Sequence, residues 1–172
     1  INKLDSDQKP FYELKMSWIL TVEKIKKSNT YLNSKIVELT EMLAQRNIRL
    51  CILKGQGIAT YYPDPMVRCP GDIDAWVEAD RESIIKLVRE KFPHEDISYL
   101  HVEYPIFNDV DVELHFTPSY MCSYWHNRRL QRIFKEMRAQ QFNNLIQLSF
   151  TDKKVSIATI EFNMLFILSH IY

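Results

Sequence analysis

Two acidic pairs and one glycine turn carry most of the chemistry open to this chain. Gly71-Asp72-Ile73-Asp74 sets two carboxylates two residues apart. Side chains alternate along an extended strand, so both fall on one face, about 6–7 Å apart along the chain. Ile73, Ala75 and Val77 then hold the other face in the core. Like charges so close are costly unless a cation neutralises them. Asp111-Val112-Glu113-Leu114-His115 repeats the pattern on a second strand. If the two strands are neighbours, three carboxylates converge. Such a group suits one or two Mg2+ ions, hard cations that keep oxygen ligands and often hold substrate phosphates. The third piece is Leu53-Lys54-Gly55-Gln56-Gly57. A glycine turn that opens a helix exposes backbone N–H groups able to hold phosphate oxygens. It is neither a Walker A loop nor a GxGxxG run, and a lone DxD pair is common by chance, so the weight lies in the combination.

The elements that must position these residues follow from hydrophobic spacing. Phe11, Leu14, Trp18, Val22 and Ile25 form one helical stripe after Pro10, and Phe11, Trp18 and the other helical aromatics are expected in the core. Ser28-Asn29-Thr30 predicts a break, and Leu32, Ile36, Leu39 and Leu43 a second helix closing near Asn47. Ile48 to Leu53 reads as a buried strand, and Gly55 to Tyr62 as a turn and short helix stopped by Pro63 and Pro65. Asp72 to Val77 is the next strand. Asp80 caps a helix with Ile84, Ile85, Val88 and Phe92 inward. Ile97 to Val102 and Tyr104 to Phe107 read as short strands or a hairpin, and Asp109 to Phe116 as an uninterrupted strand. Trp125 to Phe142 is a basic amphipathic helix with Leu130, Ile133, Phe134 and Met137 inward. Strands at Leu145 to Phe150 and Val155 to Ile157 precede a last apolar helix from Thr159 or Glu161. Helices and strands alternate without an internal repeat, so the fold class is α/β (α+β).

Composition bounds the function. The chain has 172 residues, 46% hydrophobic and 26% charged, which is the balance of a globular protein with a core and not of a fibre or a disordered tail. No apolar run is long enough for a membrane helix. Ile1 to Pro10 is polar and mixed in charge, unlike a signal peptide, and without an initiator Met the chain reads as a trimmed one. Cys51, Cys69 and Cys122 suit neither a disulfide framework nor a zinc knuckle, and reduced thiols point to a cytoplasmic protein. The net charge is zero but unevenly spread: +4 over residues 1–63, −8 over 64–115 and +4 over 116–172. An acidic middle between basic flanks suits a metal with a bound polyphosphate, but charge counts alone favour a solvated acidic face. All three glycines, Gly55, Gly57 and Gly71, fall within 17 residues, which concentrates the unusual backbone there.

The run Leu53-Lys54-Gly55, then Tyr62-Pro63-Asp64-Pro65, Arg68 and Gly71-Asp72-Ile73-Asp74, closing with Val112-Glu113-Leu114-His115, resembles the nucleotidyltransferase-like family of mostly uncharacterised bacterial proteins, in the DNA polymerase beta-type superfamily. His115-Phe116-Thr117-Pro118-Ser119 and Trp125-His126-Asn127-Arg128-Arg129-Leu130-Gln131 look like the branch found in gut Bacteroidetes. The motif set covers roughly residues 35 to 172 and is specific in combination. The resemblance implies a nucleotidyltransferase fold, a small mixed sheet with flanking helices. Its parts would be an N-terminal helical segment packed on the core (1–46), the core itself (47–158) and the start of a C-terminal helical region (159–172). It implies a nucleoside triphosphate as substrate, Mg2+ or Mn2+ as cofactor, and Asp72, Asp74 and Glu113 as catalytic and metal-binding residues. Lys54, Gly55, Gln56, Gly57 and Arg68 would then face the phosphates. The family's turn is often Gly-Gly or Gly-Ser where this chain has Gly55-Gln56-Gly57. Relatives continue past Tyr172 into a helical region, which would set part of the acceptor site outside this chain.

Several roles stay open at this level. Asp111 rivals Glu113 as third ligand because both share a face. Lys54 neutralises a phosphate or simply reaches solvent. Arg68 serves equally as a phosphate clamp or a surface ion-pair partner. His115 orients Glu113, binds substrate, or is a satisfied structural histidine. Arg128, Arg129, Arg132 and Arg138 read as a solvated helix face rather than a nucleic-acid rim, since no aromatic-interleaved basic patch stands out. The function so read is Mg2+-dependent transfer of a nucleoside monophosphate to an acceptor hydroxyl, with release of pyrophosphate. The rivals are a DxD glycosyltransferase, disfavoured by the two amphipathic helices before the first strand, and a non-catalytic binding or antitoxin-like protein with the same fold.

Overall fold

The computed structural model describes residue 5 and residues 8–171, with only the backbone of residues 170 and 171. Most of the polar start, Ile1 to Pro10, and the end at Tyr172 lie outside the described residues. Helix α1 (Tyr12–Ala44) leads to strand β1 (Leu50–Ile52), short helix α2 (Lys54–Ala59) and β2 (Ile73–Val77). Then come α3 (Arg81–Arg89), β3 (His101–Glu103), β4 (Val112–His115), α4 (Tyr124–Asn143), β5 (Leu145–Gln147), β6 (Lys154–Ser156) and α5 (Ile160–Ile171). The main sheet runs β1-β2-β4-β3, mixed because β2 and β4 are parallel while β1 and β3 pair antiparallel. β5 and β6 form a separate antiparallel pair. The class is therefore α/β (α+β), as the alternation predicts, with the small mixed sheet and flanking helices that the resemblance implies. Among the described residues no helix is long and apolar enough to cross a membrane.

Strand alternation splits the core into two layers. Ile73, Ala75, Val77, Val102, Val112 and Leu114 face the layer shared with α1 and α3. Cys51, Leu53 and Trp76 face α4 and α5, where Trp76 stacks on Phe162 at 5.5 Å. Asp80 caps α3 as expected, its carboxylate accepting from the Ser83 N–H at 2.9 Å.

The expected break at Ser28-Asn29-Thr30 is absent: α1 is one 33-residue helix. Tertiary contact overrides weak helix propensity here. The buried Asn29 amide donates to the carbonyls of Met66 at 2.8 Å and Arg68 at 2.7 Å, pinning the loop before the acidic strand onto the helix. The helix closes where expected, with Asn47 at φ 59°, a conformation asparagine tolerates better than most residues. The first stripe is not core: Phe11 and Trp18 are 67% and 46% exposed, and Val22 is exposed too. Periodicity marked an apolar face that the described residues leave largely exposed. Tyr104 to Phe107 is not a strand, the second acidic strand is shorter than its alternation suggested, and Ile133 is exposed on α4.

Leu114→Ala should cost about 2–5 kcal/mol, because Leu114 is fully buried beneath the acidic face. Asn29→Ala should cost about 1–3 kcal/mol by stranding two carbonyls. Urea unfolding measures both, and an Asn29→Ala chain as stable as wild type would show that the loop needs no tether.

Candidate functional site

The site grows from the register of three strands. Asp74 stands beside Glu113, and Trp76 beside His115, on parallel β2 and β4. On β3, His101 opposes His115 and Glu103 opposes Glu113. Because the alternate positions are core, the polar residues share the face that carries α4 and α5. One oxygen from each of Asp72, Asp74 and Glu113 lies within 4.8 Å of the others. The three expected carboxylates therefore meet, with Asp74 1% exposed and Asp72 and Glu113 open to solvent. A cavity of about 280 Å³ opens beside Asp72 and Glu113 and is also lined by Glu103 and Asp111.

Two basic side chains hold this charge together. Lys54 Nζ is 3.0 Å from Asp74 Oδ2 and 3.8 Å from Asp72 Oδ2. His115 Nε2 is 3.0 Å from Asp74 Oδ1 and 3.3 Å from Glu113 Oε2. Burial alone would raise the Asp74 pKa. The hydrogen bond from His115 and the charge of Lys54 outweigh it and hold the carboxyl below its usual range. Burial likewise opposes charge on His115, yet its contacts with Asp74 and Glu113 raise its pKa above the usual value. Glu113 is lowered chiefly by its hydrogen bond with His115. Lys54 is raised, since Asp74 and Asp72 more than offset its burial. Of the alternatives left open by the sequence, Lys54 reaches the acids and His115 bridges two of them. Both Asp74 oxygens face a cation, but Oδ2 is buried and makes no hydrogen bond.

The glycine turn divides its labour differently from the expectation. Gly55 takes φ 41° and ψ −119°, which favours glycine, and Lys54 sits at φ 24°. The Lys54 N–H donates to Asn163 Oδ1 at 2.9 Å, so α5 holds this strained turn. Gln56 and Gly57, expected at the phosphates, face inward. The Gln56 side-chain amide donates to Asn33 Oδ1 of α1 at 2.6 Å. A Cβ on Gly57 would stand 2.9 Å from Ile157 Cγ2, so this glycine serves close packing. Gly71 has neither a left-handed φ nor a crowded Cβ position. The glycine cluster therefore marks one unusual backbone position, not three.

The remaining candidates stand apart from the carboxylate cluster. Arg68 folds back to donate to Cys69 O at 3.0 Å, and among the described residues it forms no ion pair. Asp111 is exposed on the cavity wall, and its backbone carbonyl accepts from the Ile73 N–H at 2.9 Å. Arg138 lies over Trp76 and Phe142 and near Glu78, a packed position rather than a nucleic-acid rim. Cys51 is buried, which pushes its thiol up, while Cys69 and Cys122 are exposed, and all three are free. Sequence reasoning passed over His101, whose Nδ1 is 3.3 Å from Glu113 Oε2. The polar-apolar-polar run His101-Val102-Glu103 was the signal for it. Asn163 and Asn33 gave no local signal, because each acts across a long sequence separation.

A model of uncharacterised nucleotidyltransferases matches residues 1–172 of this chain. No curated protein matches the sequence significantly. Among solved structures, an antigenic nucleotidyltransferase-like protein from Paracoccidioides brasiliensis is 15% identical, with a TM-score of 0.39. That match covers 83% of this chain and 63% of the other, so the chain spans less than two thirds of that protein's length.

Asp74→Asn, melted in a chelator, should lose about 1–3 kcal/mol near neutral pH, since it strips Lys54 and His115 of a buried partner. The depressed Asp74 pKa lies below its unfolded value, so that contribution is present above about pH 4 and fades as pH falls through the folded value. The raised His115 pKa lies above its unfolded value, so its contribution is full below about pH 6.5 and fades as pH rises through the folded value. The stability gap between wild type and variant should therefore be widest between those limits and narrow on both sides. A gap independent of pH would separate Asp74 from His115.

Proposed function

Because the chain belongs to the family of uncharacterised nucleotidyltransferases, we propose that it transfers a nucleoside monophosphate from a nucleoside triphosphate to an acceptor hydroxyl, with Mg2+ or Mn2+ as cofactor. One observation carries this reading: the oxygens of Asp72, Asp74 and Glu113 converge within 4.8 Å on one sheet face. The donors fit the ion. They are three hard carboxylates, and the buried Oδ2 of Asp74 is met by the Lys54 ammonium at 3.0 Å, a charge that an ion could replace. When bound, the metal would neutralise phosphate charge and favour deprotonation of the acceptor hydroxyl.

The chain's own residues supply the rest. Asp72, Asp74 and Glu113 would hold the cation, and His115 fixes the Asp74 and Glu113 carboxylates in place. Lys54 pairs with two of the ligands in the metal-free protein. With those carboxylates engaged by a cation, Lys54 would be available to pair with a triphosphate oxygen, with the Gly55 turn beside it. The acceptor oxygen bonds to the α-phosphorus as the bond from that phosphorus to the bridging oxygen breaks. Pyrophosphate leaves, and the acceptor proton passes to Glu113 and then to solvent. Positioning and charge neutralisation dominate such a transfer. In this reading residues 47–158 are the catalytic core, 1–46 brace it, and 159–172 begin a helical region whose Asn163 steadies the turn. The protein would work in the cytoplasm, and its relatives would be those of the DNA polymerase beta-type superfamily.

Pyrophosphate release, measured with the four NTPs across sugar, small-molecule, protein and RNA acceptors, should appear for one pairing. It should fall on the order of a hundredfold or more in Asp74→Asn and Glu113→Gln. Release undiminished in folded Asp74→Asn would overturn the assignment.

Lys54→Met separates the two roles given to Lys54. Calorimetry should show Mn2+ alone binding several-fold more tightly, because a competing cation is gone, while the Mn2+-triphosphate complex binds more weakly. Weaker binding of both would leave Lys54 as a structural ion-pair residue.

A further inference from the structure

The face that carries the three carboxylates also carries two imidazoles: His115, which fixes Asp74 and Glu113, and His101, to which the proposed reaction gives no role. One ligand atom from each of His101, Glu113 and His115 lies within 4.8 Å of the others. His101 Nδ1 and His115 Nε2 are each 3.3 Å from the same oxygen, Glu113 Oε2. His101 Nδ1 is buried and makes no hydrogen bond, so its approach to Glu113 is a close contact without N–H···O geometry. A tetrahedral ion with bonds of about 2.0–2.1 Å sets neighbouring ligands roughly 3.3–3.4 Å apart. Both nitrogen–oxygen separations match that edge. The two histidines face each other across the β3–β4 pair, with ring centroids 5.1 Å apart. His101 lies on the edge strand with its side chain 27% exposed, which gives an ion a way in from solvent.

We infer that His101, Glu113 and His115 form a second cation site, selective for Zn2+-type ions, that shares Glu113 with the carboxylate site. Two imidazoles and one carboxylate suit Zn2+ or Co2+, whereas Mg2+ prefers oxygen donors throughout. Three protein ligands leave a fourth position for water. The site itself stands on the strand register. Its consequence rests on the proposed function: an ion bound at His115 Nε2 releases to solvent the proton by which that nitrogen meets Asp74 Oδ1 at 3.0 Å, and it takes Glu113 as well, so Zn2+ opposes binding of the Mg2+-triphosphate complex.

Co2+ tests this directly, because tetrahedral nitrogen-oxygen coordination gives strong visible absorption bands and six-coordinate oxygen coordination gives weak ones. Titration of the wild-type chain with Co2+ alone should produce strong bands saturating at one equivalent. Zn2+ should abolish them and excess Mg2+ should not. Asp72→Asn should retain them, since Asp72 is not a ligand of this site. His101→Ala should weaken Co2+ binding on the order of tenfold or more, having lost one ligand of three. His101→Gln repeats the test with a side chain closer in size, and thermal melts show that each variant is folded before titration. Weak bands only in wild type, strong bands unchanged in both folded His101 variants, or strong bands lost in Asp72→Asn would each overturn the site. The titration uses no nucleotide. Strong Co2+ bands in a chain that releases no pyrophosphate would therefore count against the proposed reaction and leave this site standing.

Discussion

The buried carboxylate of Asp74 is the constraint around which the rest of the structure is arranged. A charge taken out of water is tolerated only when it is paired and hydrogen-bonded. Here the pairing comes from opposite directions, with Lys54 on one oxygen and His115 on the other. Lys54 arrives from the turn after β1, and His115 from the end of β4. The carboxylate therefore ties three consecutive strands of the sheet order together through side chains as well as backbone. It also explains how the metal-free protein tolerates three acids in one cluster. The sequence suggests a metal as the neutralising charge, and the fold supplies the Lys54 ammonium and a hydrogen bond from His115.

That arrangement requires both faces of the sheet to be right at once. β2 must place Ile73, Ala75 and Val77 against α1 and α3 while Asp74 and Trp76 point the other way. A one-residue slip would exchange the two sets, burying the acids in the apolar layer. Register is thus specified by the same alternation that places the chemistry. On the polar face the acids lie beside an aromatic cluster of Trp76, Phe142, Phe162 and Phe134. Phe166 of that layer meets the His115 ring edge-on at 6.4 Å. This apolar wall keeps water from His115 and strengthens its interaction with the acids.

What could be read from the sequence was what alternation and short-range chemistry encode. The pairs Asp72/Asp74 and Asp111/Glu113 revealed their shared face because strand period two is local. The choice between Asp111 and Glu113 was not local, since it depends on the register that sets Glu113 beside Asp74. The fate of Ser28-Asn29-Thr30 was hidden for a similar reason. The propensity of three residues argues for a break, and only the loop at Met66 and Arg68 gives Asn29 a partner. The glycines were over-read. Their clustering was plain, yet one serves backbone conformation, one serves packing against Ile157, and Gly71 serves neither need. Phe11 and Trp18 show the limit of periodicity, which reports that a helix has an apolar face but not whether the fold covers it.

The turn at Lys54 shows how far the site extends beyond its motif. A non-glycine residue at φ 24° is strained, and such conformations persist where the surroundings over-determine them. Asn163 does this from 109 residues away, accepting the Lys54 N–H while its own amide is fixed on Ala158 O. The same helix buries Phe162 and Phe166 against the polar face of the sheet. Packing of α5 therefore sets the backbone from which Lys54 reaches Asp74, and Asp74 in turn determines the charge on His115. The electrostatics of the carboxylate cluster thus depends on an apolar helix whose described side chains contribute no charged group to it.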